Sequence, residues 1–132
     1  MKIVAYTNAF LAVVLAEAER DWILDASAGH ELLAPAVLPY EIANALTAML
    51  KKRVLQTQEM EAAWDAVQRI PVELRGVNVP SALGIAARLS LYAYDAYFLD
   101  CAVRHGAPLL TLDRGLRHAA AQLGLAVIED TP

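Results

Sequence analysis

Short apolar runs alternate with longer helical patterns along this chain, and that alternation limits its fold more than any other feature. Residues 2–5, 31–34 and 108–112 are the clearest strand-like runs, and 72–74 and 126–128 are weaker ones. Strands that alternate with helices pair in parallel, because each helix returns the chain to the same edge of the sheet. We therefore expect an α/β fold of three layers (α/β/α), with a central parallel sheet of about four or five strands.

Helical patterns fill the segments between these strands. Pro39 and Pro80 suit the first turn of a helix, and Gly29, Gly106 and Gly124 suit helix ends. The polar tail 129–132 is predicted to fray. The predicted helices cover residues 8–18, 21–28, 39–52, 57–69, 80–90, 95–105 and 114–123.

The length and composition indicate one folded domain over residues 1–132. A chain of 132 residues can bury a core but is short for two domains. A hydrophobic fraction of 58% with 20% charged residues favours a compact protein over a disordered one. No apolar run approaches the roughly 18 residues that a membrane span needs, and the single Cys101 fits a reducing cytoplasm.

The net charge of −4 argues against strong, non-specific binding of nucleic acid through bulk electrostatics. It does not exclude nucleic acid as a substrate, because a bound metal neutralises clustered acids. The charge therefore leaves a metal-dependent enzyme open.

Three acidic residues fall where helices are predicted to begin, at the edge of the sheet where α/β folds bind ligands. They are Glu41, Asp95 and Asp113. Each has an ordinary explanation, since Asp caps helices and a first-turn carboxylate favours the helix dipole. Together on one mostly apolar edge they repel one another unless a cation lies between them. Oxygen ligands without His or Cys select Mg²⁺ or Mn²⁺, which activates water for hydrolysis.

Four segments carry a resemblance to a known family: 4–11 (VAYTNAFL), 41–46 (EIANAL), 94–99 (YDAYFL) and 106–113 (GAPLLTLD). Through these segments the chain resembles the PIN domains, in particular the VapC-type ribonuclease toxins of prokaryotic toxin–antitoxin pairs. The resemblance covers essentially the whole chain. It implies an Mg²⁺- or Mn²⁺-dependent endoribonuclease that cuts RNA such as tRNA, forms a homodimer and is inhibited by a VapB-type antitoxin.

The resemblance also implies roles for individual residues. Glu41, Asp95 and Asp113 match the catalytic, metal-binding acids of the family. Thr7 and Asn8 match small polar residues that support the ligand geometry, and Thr111 matches a hydroxyl beside the last acid. From spacing alone, Asn44 lies on the helix face of Glu41 and is an accessory candidate. Candidate phosphate contacts are Arg114 and Arg117.

Tyr6 stands where the family has a further metal-binding Asp. A phenol is neutral at physiological pH, and its ring is expected to fill volume meant for the ion. We therefore predict weak or absent metal binding and a fall in hydrolysis on the order of 100-fold or more. The alternative is a non-catalytic PIN-like module that binds antitoxin or RNA without cleavage.

Three further expectations follow from the sequence. An unrelated nucleotide binder or phospho-receiver is disfavoured, because no Gly-rich phosphate loop and no acidic pair follow the first strand. Asp100 lies about 140° from Asp95 around a helix, so it is not expected to share a metal with Asp95. It is expected either to support the metal-binding residues or to lie in solvent. The apolar excess of the first two helices, around Trp22, predicts a groove for an antitoxin segment.

Overall fold

The structure, a computed structural model, describes residues 1–129 and contains a parallel sheet of four strands. The strand order is β3-β2-β1-β4. This confirms the predicted α/β fold with a central parallel sheet. The strands are β1 (Lys2–Ala5), β2 (Glu31–Pro35), β3 (Glu73–Arg75) and β4 (Leu109–Leu110).

The helices follow the predicted order, with ends that shift by a few residues. The first helix is four residues shorter at its end than predicted, and Ala16 just beyond it has a left-handed φ of 53°. A non-glycine residue in that conformation cannot continue a helix. The helices are α1 (Thr7–Val14), α2 (Arg20–Ser27), α3 (Leu38–Lys51), α4 (Thr57–Gln68), α5 (Val79–Leu89), α6 (Ala93–His105) and α7 (Arg114–Gln122).

β1 is a central strand that pairs with β2 on one side and β4 on the other. Its residues Ile3, Val4 and Ala5 are all buried, although successive side chains point to opposite faces of the sheet. Both faces must therefore be covered. The helices α1–α4 pack among themselves, and α5 pairs with α6, which lies against β1 and β2. This arrangement agrees with the predicted three layers.

The fourth strand is shorter than predicted, and the fifth predicted strand is absent from the described residues. β4 ends at Leu110 because the carbonyl of Thr111 accepts hydrogen bonds from the Arg117 guanidinium instead of a strand partner. The predicted strand 126–128 forms only one isolated parallel bridge, between Leu109 and Val127. Of the polar tail, residues 130–132 lie outside the described residues.

Asp100 is buried, so the expectation that it could lie in solvent was wrong. It is 2% exposed and accepts a hydrogen bond from the Ser81 hydroxyl. The Nε of Arg104, one helical turn later, lies 2.8 Å from its other carboxylate oxygen. The Ser81 bond fastens α5 to α6, the helix that carries Asp95, and the Arg104 contact lies within α6. Between residues 1 and 129, no helix has the length and apolar character that crossing a membrane requires.

Candidate functional site at the end of the central strand

Tyr6 is fixed at the carboxyl end of β1 by its backbone and by its ring. Its backbone N–H donates to the carbonyl of Leu110 at 2.9 Å, which extends the pairing with β4 by one residue. Its carbonyl accepts the N–H of Ala9 at 3.0 Å, and the residue is the N-cap of α1. The ring packs edge-to-face on Phe98, with centroids 4.7 Å apart. The phenol therefore has little freedom to leave its place.

The hydroxyl of Tyr6 donates a hydrogen bond to Oδ1 of Asp95. Asp95 lies in the first turn of α6, which begins at the N-cap Tyr92. Both side chains are half-buried. The end of β1 and the start of α6 are thus joined through the two positions that the family resemblance assigns to metal binding.

Glu41 and Asp113 lie near the same phenol. Burial raises the pKa of Tyr6 above its usual range, helped by the hydrogen bond and charge of Asp95 and then by the charges of Glu41 and Asp113. Burial and the charge of Asp95 also raise the pKa of Glu41. The structure therefore brings the three acids singled out by the sequence to one edge of the sheet, around Tyr6.

Asp113 is held by a short hydrogen-bonded turn between β4 and α7. Its Oδ1 accepts the backbone N–H of Leu116 at 3.2 Å, so it caps α7. Its own N–H donates to the buried hydroxyl of Thr111 at 3.1 Å. The Asn8 amide bridges the turn, since its Oδ1 accepts the N–H of Leu112 at 3.2 Å and its Nδ2 lies 3.4 Å from Thr111 Oγ1. Asn8 and Thr111 thus orient the turn that carries Asp113.

Arg117 supports the same turn from the side of α7. Its Nε and Nη2 donate to the carbonyl of Thr111 at 3.1 and 2.9 Å. Its guanidinium carbon lies 6.0 Å from the centre of the Trp22 ring, a cation–π distance. These donors are occupied within the protein, whereas the neighbouring Arg114 is exposed. Nothing local in the sequence signals the packing of Trp22 under Arg117, because the two residues lie in distant helices.

Two accessory candidates, Thr7 and Asn44, make no side-chain hydrogen bond to the acids in the part of the chain that the structure describes. Thr7 is 5% exposed, and its hydroxyl has no hydrogen-bond partner among residues 1–129. Asn44 is exposed on α3, and its backbone carbonyl accepts the hydroxyl of Thr47 at 2.9 Å. Their predicted roles remain predictions.

The residues around Tyr6 supply oxygen donors of the kind that Mg²⁺ and Mn²⁺ prefer, but they do not fit an ion in this arrangement. Across residues 1–129, no three His, Cys, Asp or Glu side chains group closely enough to hold a metal. The Tyr6 hydroxyl takes one oxygen of Asp95, and the capping bond takes one oxygen of Asp113. The phenol therefore engages a carboxylate oxygen of Asp95 that a metal ion would need as a ligand.

Comparison with known proteins identifies relatives over almost the whole chain. A family model described as the PIN domain matches residues 3–122. The ribonuclease VapC3 of Pyrobaculum aerophilum is 28% identical over 121 residues, which cover 88% of this chain and 92% of that protein.

Solved structures share the fold at lower sequence identity. VapBC2 from Rickettsia felis, bound to a DNA fragment from its promoter, aligns with a TM-score of 0.66 at 11% identity, over 96% of this chain and 97% of that one. FitAcB from Neisseria gonorrhoeae aligns with a TM-score of 0.61 at 16% identity, over 96% of both chains. At these identities the likeness concerns the fold.

Proposed function

This chain belongs to the PIN domain family, and from that premise we propose that it is a VapC-type endoribonuclease toxin whose cleavage of RNA is impaired by Tyr6. The single observation that carries the proposal is the gathering of Glu41, Asp95 and Asp113 around Tyr6 at the end of β1. The similarity to the ribonuclease VapC3 supports RNA as the substrate. Structured RNA such as tRNA is the first substrate to test.

The impairment follows from what the phenol does to the acids. A divalent ion such as Mg²⁺ or Mn²⁺ would activate water and stabilise the leaving oxygen of a phosphodiester. Tyr6 contributes no negative charge, and its hydroxyl donates a hydrogen bond to Asp95 where a cation would be attracted. We expect such an ion to bind weakly or not at all in this chain, and RNA hydrolysis to fall on the order of 100-fold or more.

The experiment that tests this function compares the protein with its Tyr6→Asp variant on total tRNA, with Mg²⁺, with Mn²⁺ and with EDTA. We expect metal-dependent cleavage by the variant alone. A further Asp95→Asn substitution in the variant should abolish that cleavage and so exclude a contaminating nuclease. Equal cleavage by both proteins would mean that Tyr6 does not impair the enzyme. Silence from both folded proteins would argue against a ribonuclease that acts on tRNA.

A second candidate is a PIN-like module that binds antitoxin or RNA without cleaving it. The Tyr6–Asp95 hydrogen bond favours it, because the bond satisfies the acid without an ion. Binding of RNA or antitoxin that is unchanged between the protein and its Tyr6→Asp variant, with cleavage by neither, would support this reading.

We propose a VapB-type antitoxin as the protein partner, in a cytoplasmic homodimer. The structures of VapBC2 and FitAcB support this partner, since they are similar over nearly the whole chain. Of the apolar residues that predicted a groove around Trp22, Phe10, Leu11 and Ile23 are buried in the core. An open, mostly apolar groove lies between the end of α1, the end of α3 and α4, and we propose it as the site for an antitoxin segment. It is lined by Leu15, Met49, Val54, Leu55 and Ala62, among others.

A further inference from the structure

Three tyrosines near the acidic edge expose much of their aromatic surface. Tyr92 is 87% exposed, Tyr40 71% and Tyr94 49%. Tyrosine normally packs most of its ring against the protein, so exposure of this extent leaves binding surface unused in the free chain. The Tyr94 ring meets Tyr97 edge-to-face at 5.8 Å, which orients it without covering it.

The tyrosines begin the helices that carry the acids. Tyr40 directly precedes Glu41 in the first turn of α3, and Tyr94 directly precedes Asp95 in α6. α3 follows β2, the parallel neighbour of β1, so its start lies at the same edge of the sheet as the end of β1.

The hydrogen bond from Tyr6 brings the start of α6 to that edge as well. Tyr92, the N-cap of α6, therefore belongs to the same region as Tyr40 and Tyr94. All three tyrosines thus stand at the starts of the two helices that carry Glu41 and Asp95.

The negative charge of the acidic edge limits the kinds of contact by which it can bind RNA. The carboxylates of Glu41, Asp95 and Asp113 repel phosphates, and the chain as a whole carries a net charge of −4. Beside these acids we therefore expect contacts that do not depend on charge to supply most of the affinity. Tyrosine rings stack on the faces of nucleic-acid bases, and such stacking tolerates any base.

We propose that Tyr40, Tyr92 and Tyr94 form a stacking surface, the tyrosine surface, for the bases of unpaired RNA beside the acidic edge. This proposal rests on the function proposed above and assigns the part of that site that binds substrate. Bases in a duplex are already stacked on one another, so the tyrosine surface selects loops and single strands over duplex RNA.

The test measures binding without cleavage. A fluorescein-labelled oligoadenylate of about eight nucleotides is titrated with the full chain in EDTA and followed by anisotropy. We expect each of Tyr40→Ala, Tyr92→Ala and Tyr94→Ala to weaken binding about tenfold. The matched Tyr→Phe variants should stay within about twofold, because they keep the ring. Leu83→Ala, at a residue 52% exposed on α5, is the control for loss of surface area.

Salt and strand pairing give further readouts. Affinity should fall less than about tenfold between 50 and 200 mM salt, whereas binding through many phosphates falls about a thousandfold or more. A duplex of the same strand should bind at least about tenfold more weakly. Alanine variants that bind the oligonucleotide like the unaltered chain, or phenylalanine variants that lose as much as alanine, overturn the proposal. Loss of antitoxin binding with RNA binding intact overturns it too, in favour of a protein partner.

The two proposals fail separately. Cleavage of tRNA by the Tyr6→Asp variant that is unaffected by Tyr92→Ala removes the tyrosine surface but keeps the ribonuclease. Tyrosine-dependent binding of the oligonucleotide, with no cleavage by Tyr6→Asp, keeps the tyrosine surface and favours the binding module.

Discussion

The Tyr6 hydroxyl donates to Oδ1 of Asp95, so a phenol at the end of the central strand engages a carboxylate at the start of α6. The ring on Phe98 and the hydroxyl on Asp95 are separable contacts. The ring contact fills space, and the hydroxyl supplies a hydrogen-bond donor to the carboxylate. Substitutions that remove them individually should therefore give different results.

Tyr6→Phe should destabilise the protein by about 1 kcal/mol, since a half-buried carboxylate loses its donor but can regain water. RNA cleavage should stay at the level of the unaltered protein, because the ring still occupies the site. Urea denaturation and the tRNA assay measure the two effects, with Tyr6→Asp as the matched variant that lacks the ring. Cleavage by Tyr6→Phe at the rate of Tyr6→Asp would show that the hydroxyl, not the ring, blocks the enzyme.

Glu41→Gln should stabilise the protein at pH 7. The pKa of Glu41 is raised above its usual 4.5 in the folded state by burial and by the charge of Asp95. The folded protein thus binds this proton more tightly than the unfolded chain, and stability is lost as pH rises through that range. Removing the charge should recover about 1 kcal/mol or less at pH 7, because the site is partly solvated.

This gain from Glu41→Gln should vanish below about pH 4, where the carboxyl is protonated in both states. The free energy of unfolding at the two pH values measures it. Glu61→Gln, at an exposed position of α4, is the control and should change stability by less than about 0.5 kcal/mol at either pH. A gain that persists at low pH would point to packing rather than charge.

Asn8→Ala should destabilise the protein by about 1–2 kcal/mol, because its amide bridges the turn before Asp113. Amide hydrogen exchange at Leu112 should accelerate, since its N–H loses its acceptor. Asn44→Ala is the matched control: it makes the same change in another helix at an exposed site and should cost less than about 0.5 kcal/mol. Equal costs for the two variants would contradict a special role of Asn8.

Cys101 should make the protein sensitive to alkali. Burial is the main cause that raises the pKa of this thiol from 9.0 to about 11, followed by opposing effects of Arg104 and Asp100. The folded state keeps a proton that the unfolded chain releases above pH 9, so stability from this thiol is lost as pH rises between 9 and 11.

Comparison of the protein with Cys101→Ala between pH 8 and pH 10.5 isolates this effect. The unaltered protein should lose about 1–2 kcal/mol more than the variant over that interval. Iodoacetamide should also modify Cys101 slowly in the folded protein at pH 8 and rapidly in urea. Identical pH profiles would mean that other groups account for the loss in alkali.

The placement of Glu41 and Asp113 could be predicted because each follows a strand of the parallel sheet. Residues that directly follow neighbouring parallel strands share one edge, so Asp113 after β4 had to lie near Tyr6 after β1. The i,i+4 spacing of Asp100 and Arg104 among apolar neighbours is also a local signal, of an ion pair that holds a buried carboxylate.

Individual side-chain contacts between distant segments could not be predicted. The Tyr6–Asp95 hydrogen bond joins residues 89 positions apart, and its formation depends on the exact approach of α6 to β1. The exposure of Tyr92 could not be predicted from the sequence either, because an aromatic residue before a helix is as readily buried as exposed. Such features depend on tertiary packing rather than on local pattern.

The attachment of Tyr6 to β1 and β4 through backbone atoms has a genetic consequence. A substitution there changes the chemistry of the edge without disturbing the hydrogen bonds that build the sheet. The codons of Tyr and Asp differ at one base, so a single point mutation converts this chain into its Tyr6→Asp variant. Under the function proposed above, that one base change would restore cleavage without any rearrangement of the sheet.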